Sequence, residues 1–351
     1  MAVLAHINAI GTATPPHDIH PAFIDWAARR LDGRDARLFA RMAARSGITR
    51  RWSVLPEAAG SPVGPGGFYA ADRLPGTAAR MAIYAAAAPE LAVHAIGALD
   101  EQVTLGTITH LVVASCTGFV APGVDQIIAR RLSLAADVER TLVGFMGCYA
   151  AVAALRTARH IVRSEPLARV LVVTVELSTL HLQDDLRIEP LLAMLQFGDG
   201  AAAALVTAEP HGLAIDRPFA MALPESAALI RWDITDSGFS MHLSGEVPGQ
   251  IALALRDPAV REILYADGPV DRWAVHAGGR SILDAVAEAL HLPDAALDDS
   301  RAVLAANGNM SSATLMFVLA RILSGAPMEN GVALAFGPGL AAEGFAFRRP
   351  A

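Results

Sequence analysis

At 351 residues the chain suits one large domain or two of medium size, and with 53% hydrophobic residues it can bury a substantial core, which argues against disorder. A net charge of −7 without any block of basic residues argues against a nucleic-acid partner. All 28 basic residues are arginine, which excludes Schiff-base lysine chemistry and a P-loop lysine.

In chain order, the N-terminal stretch lacks the charged n-region of a signal peptide. Residues 22–45 and 76–99 predict helices, the first with Pro21 near its start and Gly47 just past its end. Residues 111–116 and 170–175 are nearly unbroken apolar runs, the pattern of strands covered on both faces. This alternation predicts a layered α/β fold. The longest weakly polar run, residues 141–155, ends at Arg156 and is shorter than the roughly 18 residues a membrane span needs. It predicts a buried helix entered from a strand. Two cysteines, Cys116 and Cys148, are too few for a disulfide framework or a Cys-rich zinc site and fit a reducing cytoplasm. His17 and His20 lack a third metal ligand nearby, and Gly64-Pro65-Gly66-Gly67 is no dinucleotide fingerprint.

A faint internal repeat runs through the chain. A predicted strand ends at Cys116, a strand-to-helix turn carries Cys148 32 residues later, and a strand follows Phe197-Gly198-Asp199-Gly200. In the second half a strand ends at His276, a strand-to-helix turn carries Asn309 33 residues later, and a strand enters Phe336-Gly337-Pro338-Gly339. Two fused copies of one α/β unit are expected, residues 1–207 and 208–351. Copies related by a pseudo-twofold axis would bring Cys148, His276 and Asn309 together.

That trio has a chemical logic. Cys148, before the alanine-rich run 150–163, would lie near unpaired helical N–H groups that favour a thiolate. A nucleophilic thiol, a base and an amide donor form an acyl-transfer set. Each residue also has a plainer use. An isolated Cys or His in apolar sequence is commonly core, Asn309 could cap the helix that follows, and Phe197 could be core. Arg41 and Arg45, one helical turn apart, could be a solvated face.

Around these residues the chain resembles the type III polyketide synthases, the chalcone synthase-like enzymes. The resemblance runs from Gly11-Thr12-Ala13-Thr14-Pro15-Pro16 through the Cys148 turn, Phe197-Gly198-Asp199-Gly200, His276-Ala277-Gly278-Gly279 and Gly308-Asn309-Met310-Ser311-Ser312-Ala313 to Phe336-Gly337-Pro338-Gly339-Leu340. It implies a thiolase-type αβαβα fold of two duplicated halves, a homodimer, and no metal or organic cofactor. The substrates it implies are an acyl-CoA starter and malonyl-CoA. Cys148 takes the place of the nucleophile that holds the growing chain as a thioester. His276 and Asn309 take the places of the residues that pair with the thiol and polarise the thioester carbonyl. Phe197 matches a gatekeeper, Arg41 and Arg45 match basic residues that hold coenzyme A phosphates, and Gly337, Pro338 and Gly339 belong to the implied pocket.

The departures lie in that pocket. Met241 stands where plant enzymes usually carry a second gatekeeping Phe. Ser178 and His181 stand where threonines are common, Asn307 stands where Tyr is common, and Cys116 occupies a variable position. An adaptable Met opposite Phe197 points to a flexible alkyl starter and to alkylpyrone or alkylresorcinol products. The same trio also suits a fatty-acid-initiating ketoacyl synthase of type III, a cysteine acyl-CoA hydrolase, or an inactive binding homologue.

Overall fold

A computed structural model describes residues 3–55, 62–70, 74–223 and 226–349. The first half contributes β1 (Ala5–Ala13), β2 (His17–Asp18), α1 (His20–Ala28), α2 (Gly33–Ala44), β3 (Trp52–Ser53), α3 (Thr77–Asp100), β4 (His110–Ser115), α4 (Val124–Arg131), β5 (Glu139–Gly144), α5 (Ala150–Ser164), β6 (Val170–Leu177), α6 (Ile188–Met194) and β7 (Asp199–Thr207). The second contributes β8 (Leu213–Ala222), β9 (Ile230–Thr235), β10 (Gly238–Leu243), α7 (Val247–Arg256), α8 (Pro258–Leu264), β11 (Arg272–Val275), α9 (Arg280–Leu290), α10 (Asp298–Asn307), α11 (Ser312–Leu323), β12 (Met328–Gly337) and β13 (Ala341–Arg349).

Nine strands form one sheet in the order β11-β12-β13-β8-β1-β7-β6-β4-β5. The order shows the duplication. In the first half β4 pairs parallel with β6, β6 antiparallel with β7, and β7 antiparallel with β1. In the second half β11 pairs parallel with β12, β12 antiparallel with β13, and β13 antiparallel with β8. The halves join where β1 meets β8, with Ile7 opposite Leu213. Only β5, the edge strand, has no counterpart. Asn309 follows helix α10, where a strand was expected, and makes a single bridge to Phe197.

Side-chain alternation builds the layers. On β4, Val112 and Ala114 join a central core with α5 and α11, while Leu111 and Val113 face a second core with α1, α3 and α4. Val332, Leu334 and Phe336 of β12 pack on α7 and α9 in a third. The result is an αβαβα stack with α5 and α11 in the middle.

Two local expectations need adjustment. Residues 22–45 are two helices, because Asp32-Gly33 breaks the run and Gly33 takes φ 49°, a left-handed value that glycine tolerates. Residues 141–155 run from β5 into the buried α5 as expected, but among the described residues the candidate for a membrane span is α3. At 24 residues it is long and apolar enough to cross a membrane by length and composition. Tyr84, Ala88, Leu91, Ala92, Ala95 and Leu99 of α3 are instead buried in the second core.

Candidate active site

The turn that carries Cys148 is built by close packing of glycine backbone against two rings. The chain leaves β5, takes left-handed φ values at Phe145 (55°) and Gly147 (74°), and makes a 3-10 turn at Gly147–Tyr149 that runs into α5. A Cβ on Gly147 would overlap the Pro338 ring, and one on Gly337 would overlap the Tyr149 ring. Glycine is therefore required on both sides, and Gly337-Pro338 buttresses the turn that carries Cys148. Gly339 takes φ 73° beyond it. Cys148 stands at the helix start and is half-buried.

His276 follows β11, and its N–H donates to the Leu334 carbonyl at 2.8 Å. It is 1% exposed, and neither ring nitrogen has a hydrogen-bond partner among the described residues. Gly278 lies along the Nε2 edge of this ring. The Asn309 amide has one orientation. Its Oδ1 accepts from Ser311 N–H at 2.8 Å, so Nδ2 is the donor end, and Nδ2 donates to the Gly278 carbonyl at 3.2 Å. The Asn309 side chain also lies within hydrogen-bonding reach of the Cys148 thiol. The three expected residues come from β5–α5, β11–α9 and α10–α11; Asn309 is joined to Gly278, two residues after His276, and to Ser311.

The electrostatics differ from the expected activated thiolate. Burial pushes the Cys148 thiol up to about 12, and the nearby Glu176 carboxylate adds to the rise, against hydrogen bonds from Ser311 and Asn309. Burial pushes His276 down to about 3. Burial thus disfavours the charged form of each group.

Behind the thiol lies a polar layer that the sequence reading missed. Ser311, at φ 47°, stands 3.1 Å from Cys116 Sγ and acts to lower the pKa of the Cys148 thiol. The fully buried Glu176 accepts from Cys116 N–H at 3.0 Å, Thr117 Oγ1 at 2.8 Å and Ser312 Oγ. Burial raises its carboxyl above the usual range. A lone carboxylate near the end of the apolar strand β6 was the available signal, since an isolated buried charge needs such partners.

A cavity of about 220 Å³ lies beside this site. Phe197, Met241, Ser178 and His181 line it, together with Trp232, Phe239, Arg51 and Leu55. Cys148, His276, Asn309, Cys116 and the Gly337-Pro338-Gly339 turn are not on its lining. Phe197 connects the two regions. Asn309 N–H donates to the Gln196 carbonyl at 2.7 Å, and Gly198 N–H donates to the Asn309 carbonyl at 3.0 Å. His181 is held neutral by burial, at about 3, with Nε2 donating to the Thr117 carbonyl and Nδ1 accepting from Phe239 N–H. It shapes the wall and has no free nitrogen for chemistry. Arg51, 1% exposed, donates to the Met194 and Phe197 carbonyls and so fixes the loop that carries Phe197. Asn307 is buried beside Trp52, which donates to its Oδ1 at 3.1 Å. On the other side of Gln196, Arg45 and Arg280 line a surface depression with Ser46 and Ser281. Arg41 is exposed and lies outside it.

This layered fold, with a thiol at a helix start and an oriented amide beside a fully buried imidazole, has the thiolase-type architecture. Residues 2–210 match the N-terminal domain, and residues 216–349 the C-terminal domain, of the chalcone and stilbene synthases. The chain belongs to that family, as a chalcone synthase-like type III polyketide synthase sequence. It is 36% identical over 254 residues to the alpha-pyrone synthesis polyketide synthase-like Pks18 of Mycobacterium tuberculosis, a match that covers 68% of this chain and 64% of that protein. A polyketide synthase structure from the brown alga Ectocarpus siliculosus is 30% identical, with a TM-score of 0.89 over 99% of both chains. The C-terminal type III polyketide synthase domain of Steely1 from Dictyostelium is 25% identical, with a TM-score of 0.89 over 99% of this chain and 100% of that one.

Proposed function

We propose that this protein is an acyltransferase that loads an acyl-CoA starter on Cys148 and extends it with malonyl-CoA by decarboxylative Claisen condensation. The observation that carries this reading is the oriented Asn309 amide, with its donor end held beside Cys148 while His276 keeps both ring nitrogens unclaimed. Cys148 gives its proton to His276 as sulfur attacks the starter thioester, and coenzyme A leaves as the thiol. Malonyl-CoA then loses carbon dioxide, and the bond electrons pass into an enolate. His276 and Asn309 donate to the thioester oxygen where that charge develops. One such donor in a dry site is typically worth about 3–4 kcal/mol. The enolate attacks the Cys148 thioester and expels the thiolate for the next loading. The electron pair comes from the bond to carbon dioxide, so the cycle calls on no metal or organic cofactor.

The name of the mycobacterial relative and the Met241–Trp232 wall support alkylpyrone products. Arg45, with Arg280 beside it, suits coenzyme A phosphates, and Arg41 extends the positive rim. We assign the halves to residues 1–207 and 208–351 and the assembly to a homodimer. A free catalytic thiol fits a reducing cytoplasm. The test incubates the protein with malonyl-CoA and short, medium, long and aromatic acyl-CoA starters, with products read by mass spectrometry. Pyrones from alkyl starters are expected. Free acid formed without malonyl-CoA would favour a hydrolase, and a requirement for an acyl carrier protein would favour a ketoacyl synthase.

A further inference from the structure

At the opposite end of the strands from Cys148, three side chains meet that acyl transfer does not use. His110 opens β4 and Glu139 opens β5, and the two are register partners in a parallel pair, so their side chains share a face. His110 lies on the same side of β4 as Val112 and Ala114, the side covered by α5. Helix α5 starts at the turn that carries Cys148 and runs back along the strands to its C-cap, Glu165. Its end therefore delivers Glu165 over His110. The His110 Nε2 atom is 3.7 Å from Glu139 Oε1 and 4.0 Å from Glu165 Oε2, and the three ligand atoms all lie within 4.8 Å of one another.

His110 Nδ1 lies 2.9 Å from Thr109 Oγ1, which also accepts from Arg169 N–H at 2.9 Å. Nε2 is the ring atom that faces the two carboxylates, at distances too long for hydrogen bonds. The imidazole is 6% exposed, so it cannot turn to water. Neither carboxylate has an arginine partner among the described residues, and the neighbouring Arg140 is taken by Asp125. One imidazole nitrogen and two carboxylates thus face one gap.

We infer that His110, Glu139 and Glu165 form a binding site for one divalent transition ion of the zinc class. One imidazole with two carboxylates is a borderline donor set that suits Zn²⁺, with water completing the shell. The Nδ1 contact with Thr109 Oγ1 is the kind of outer contact that commonly orients a ligating histidine. Tetrahedral Zn²⁺ bonds of about 2.0–2.1 Å place ligand atoms roughly 3.4 Å apart, a contraction of up to about 1.4 Å that rotamer changes of the two exposed glutamates can supply. The ion would tie the start of β4, the start of β5 and the end of α5, the elements whose other ends carry Cys116 and Cys148. The inference does not rest on the acyl-transfer reading.

The test titrates Zn²⁺ by calorimetry, and Co²⁺ by absorption, into the tag-free full-length protein and into its Glu139→Gln and Glu165→Gln variants, with folding checked by circular dichroism. One ion per chain is expected, with a Co²⁺ spectrum free of thiolate charge transfer. Each variant should bind at least tenfold more weakly. A Zn²⁺ concentration about a hundredfold above Kd should raise the wild-type Tm by a few degrees and leave the variants unmoved. Absence of saturable binding, a thiolate band, or binding retained in both variants would overturn the site.

Discussion

At the residue scale, the proposed reaction has Cys148 and His276 start from conditions that disfavour both charged forms. The Cys148 thiol is pushed up to about 12 and His276 down to about 3, with burial the main cause of both. Alkylation of Cys148 in the free enzyme should therefore keep climbing above pH 8.5, the model thiol value, without a plateau near neutrality. A plateau beginning near pH 6–7 would show that the ion pair forms at rest. Cys116 is 3% exposed and raised well above the ordinary thiol range, so it should label much more slowly than Cys148 at every pH. Asn309→Ala removes the oriented donor. It should cut malonyl-CoA decarboxylation by about 10²–10³-fold while Cys148 still accepts an acyl group. Cys148→Ala should do the reverse, losing loading and keeping some decarboxylation. Both variants are read by carbon dioxide release and by the mass of the acylated protein, and wild-type decarboxylation by Asn309→Ala would remove Asn309 from its role.

At the element scale the hairpin of β9 and β10 walls the cavity, and the proposed function gives it a role in starter choice. Met241 and Trp232 are direct cross-strand partners, and both line the cavity. The Trp232 ring stands 6.4 Å from the Phe197 ring. An unbranched Met can shift rotamer to admit an alkyl chain, whereas a phenyl ring cannot. Each methylene buried there gains about 0.8 kcal/mol, so preference should climb with chain length until the cavity ends. Met241→Phe should shorten the accepted starter or reduce the number of extensions, and Trp232→Ala should lengthen it. Identical kcat/KM profiles across starters in parent and variants would remove the hairpin from specificity.

At the scale of the whole molecule, buried titratable groups set the response to acid. Burial depresses His20 to about 4 and both His181 and His276 to about 3. Below pH 6.5 the unfolded chain binds protons that the folded chain refuses. The stability these groups contribute is complete above pH 6.5 and is lost as pH falls toward their folded values. For His181 the loss is a few kcal/mol by pH 4 at about 1.4 kcal/mol per unit. Asp199 runs the other way, because burial raises it to about 7 and its contribution grows on acidification. The two trends separate in His181→Gln, since glutamine keeps a donor for the Thr117 carbonyl and an acceptor for Phe239 N–H. Its Tm should fall less than wild type between pH 6.5 and 4. Parallel curves would exclude His181 from the acid response.

Local pattern was enough for the α/β class, the apolar strands β4 and β6, the repeat spacing and the three residues at its equivalent turns, because periodicity and short motifs are written in consecutive residues. The break at Asp32-Gly33 was legible too, yet the surrounding helical pattern masked it. Other features belonged to the tertiary structure alone. The replacement of a strand by α10 before Asn309 depends on how β11 closes its edge of the sheet. The bias against charge on Cys148 and His276 depends on how much water the assembled layers exclude, and a helix-start argument from sequence has no term for that. Ser311 and Glu176 take on meaning only when β6 and α11 bring them to the thiol. The juxtaposition of His110, Glu139 and Glu165 arises because β4, β5 and α5 have matching lengths, so the register that places Cys148 at one end brings those three side chains together at the other.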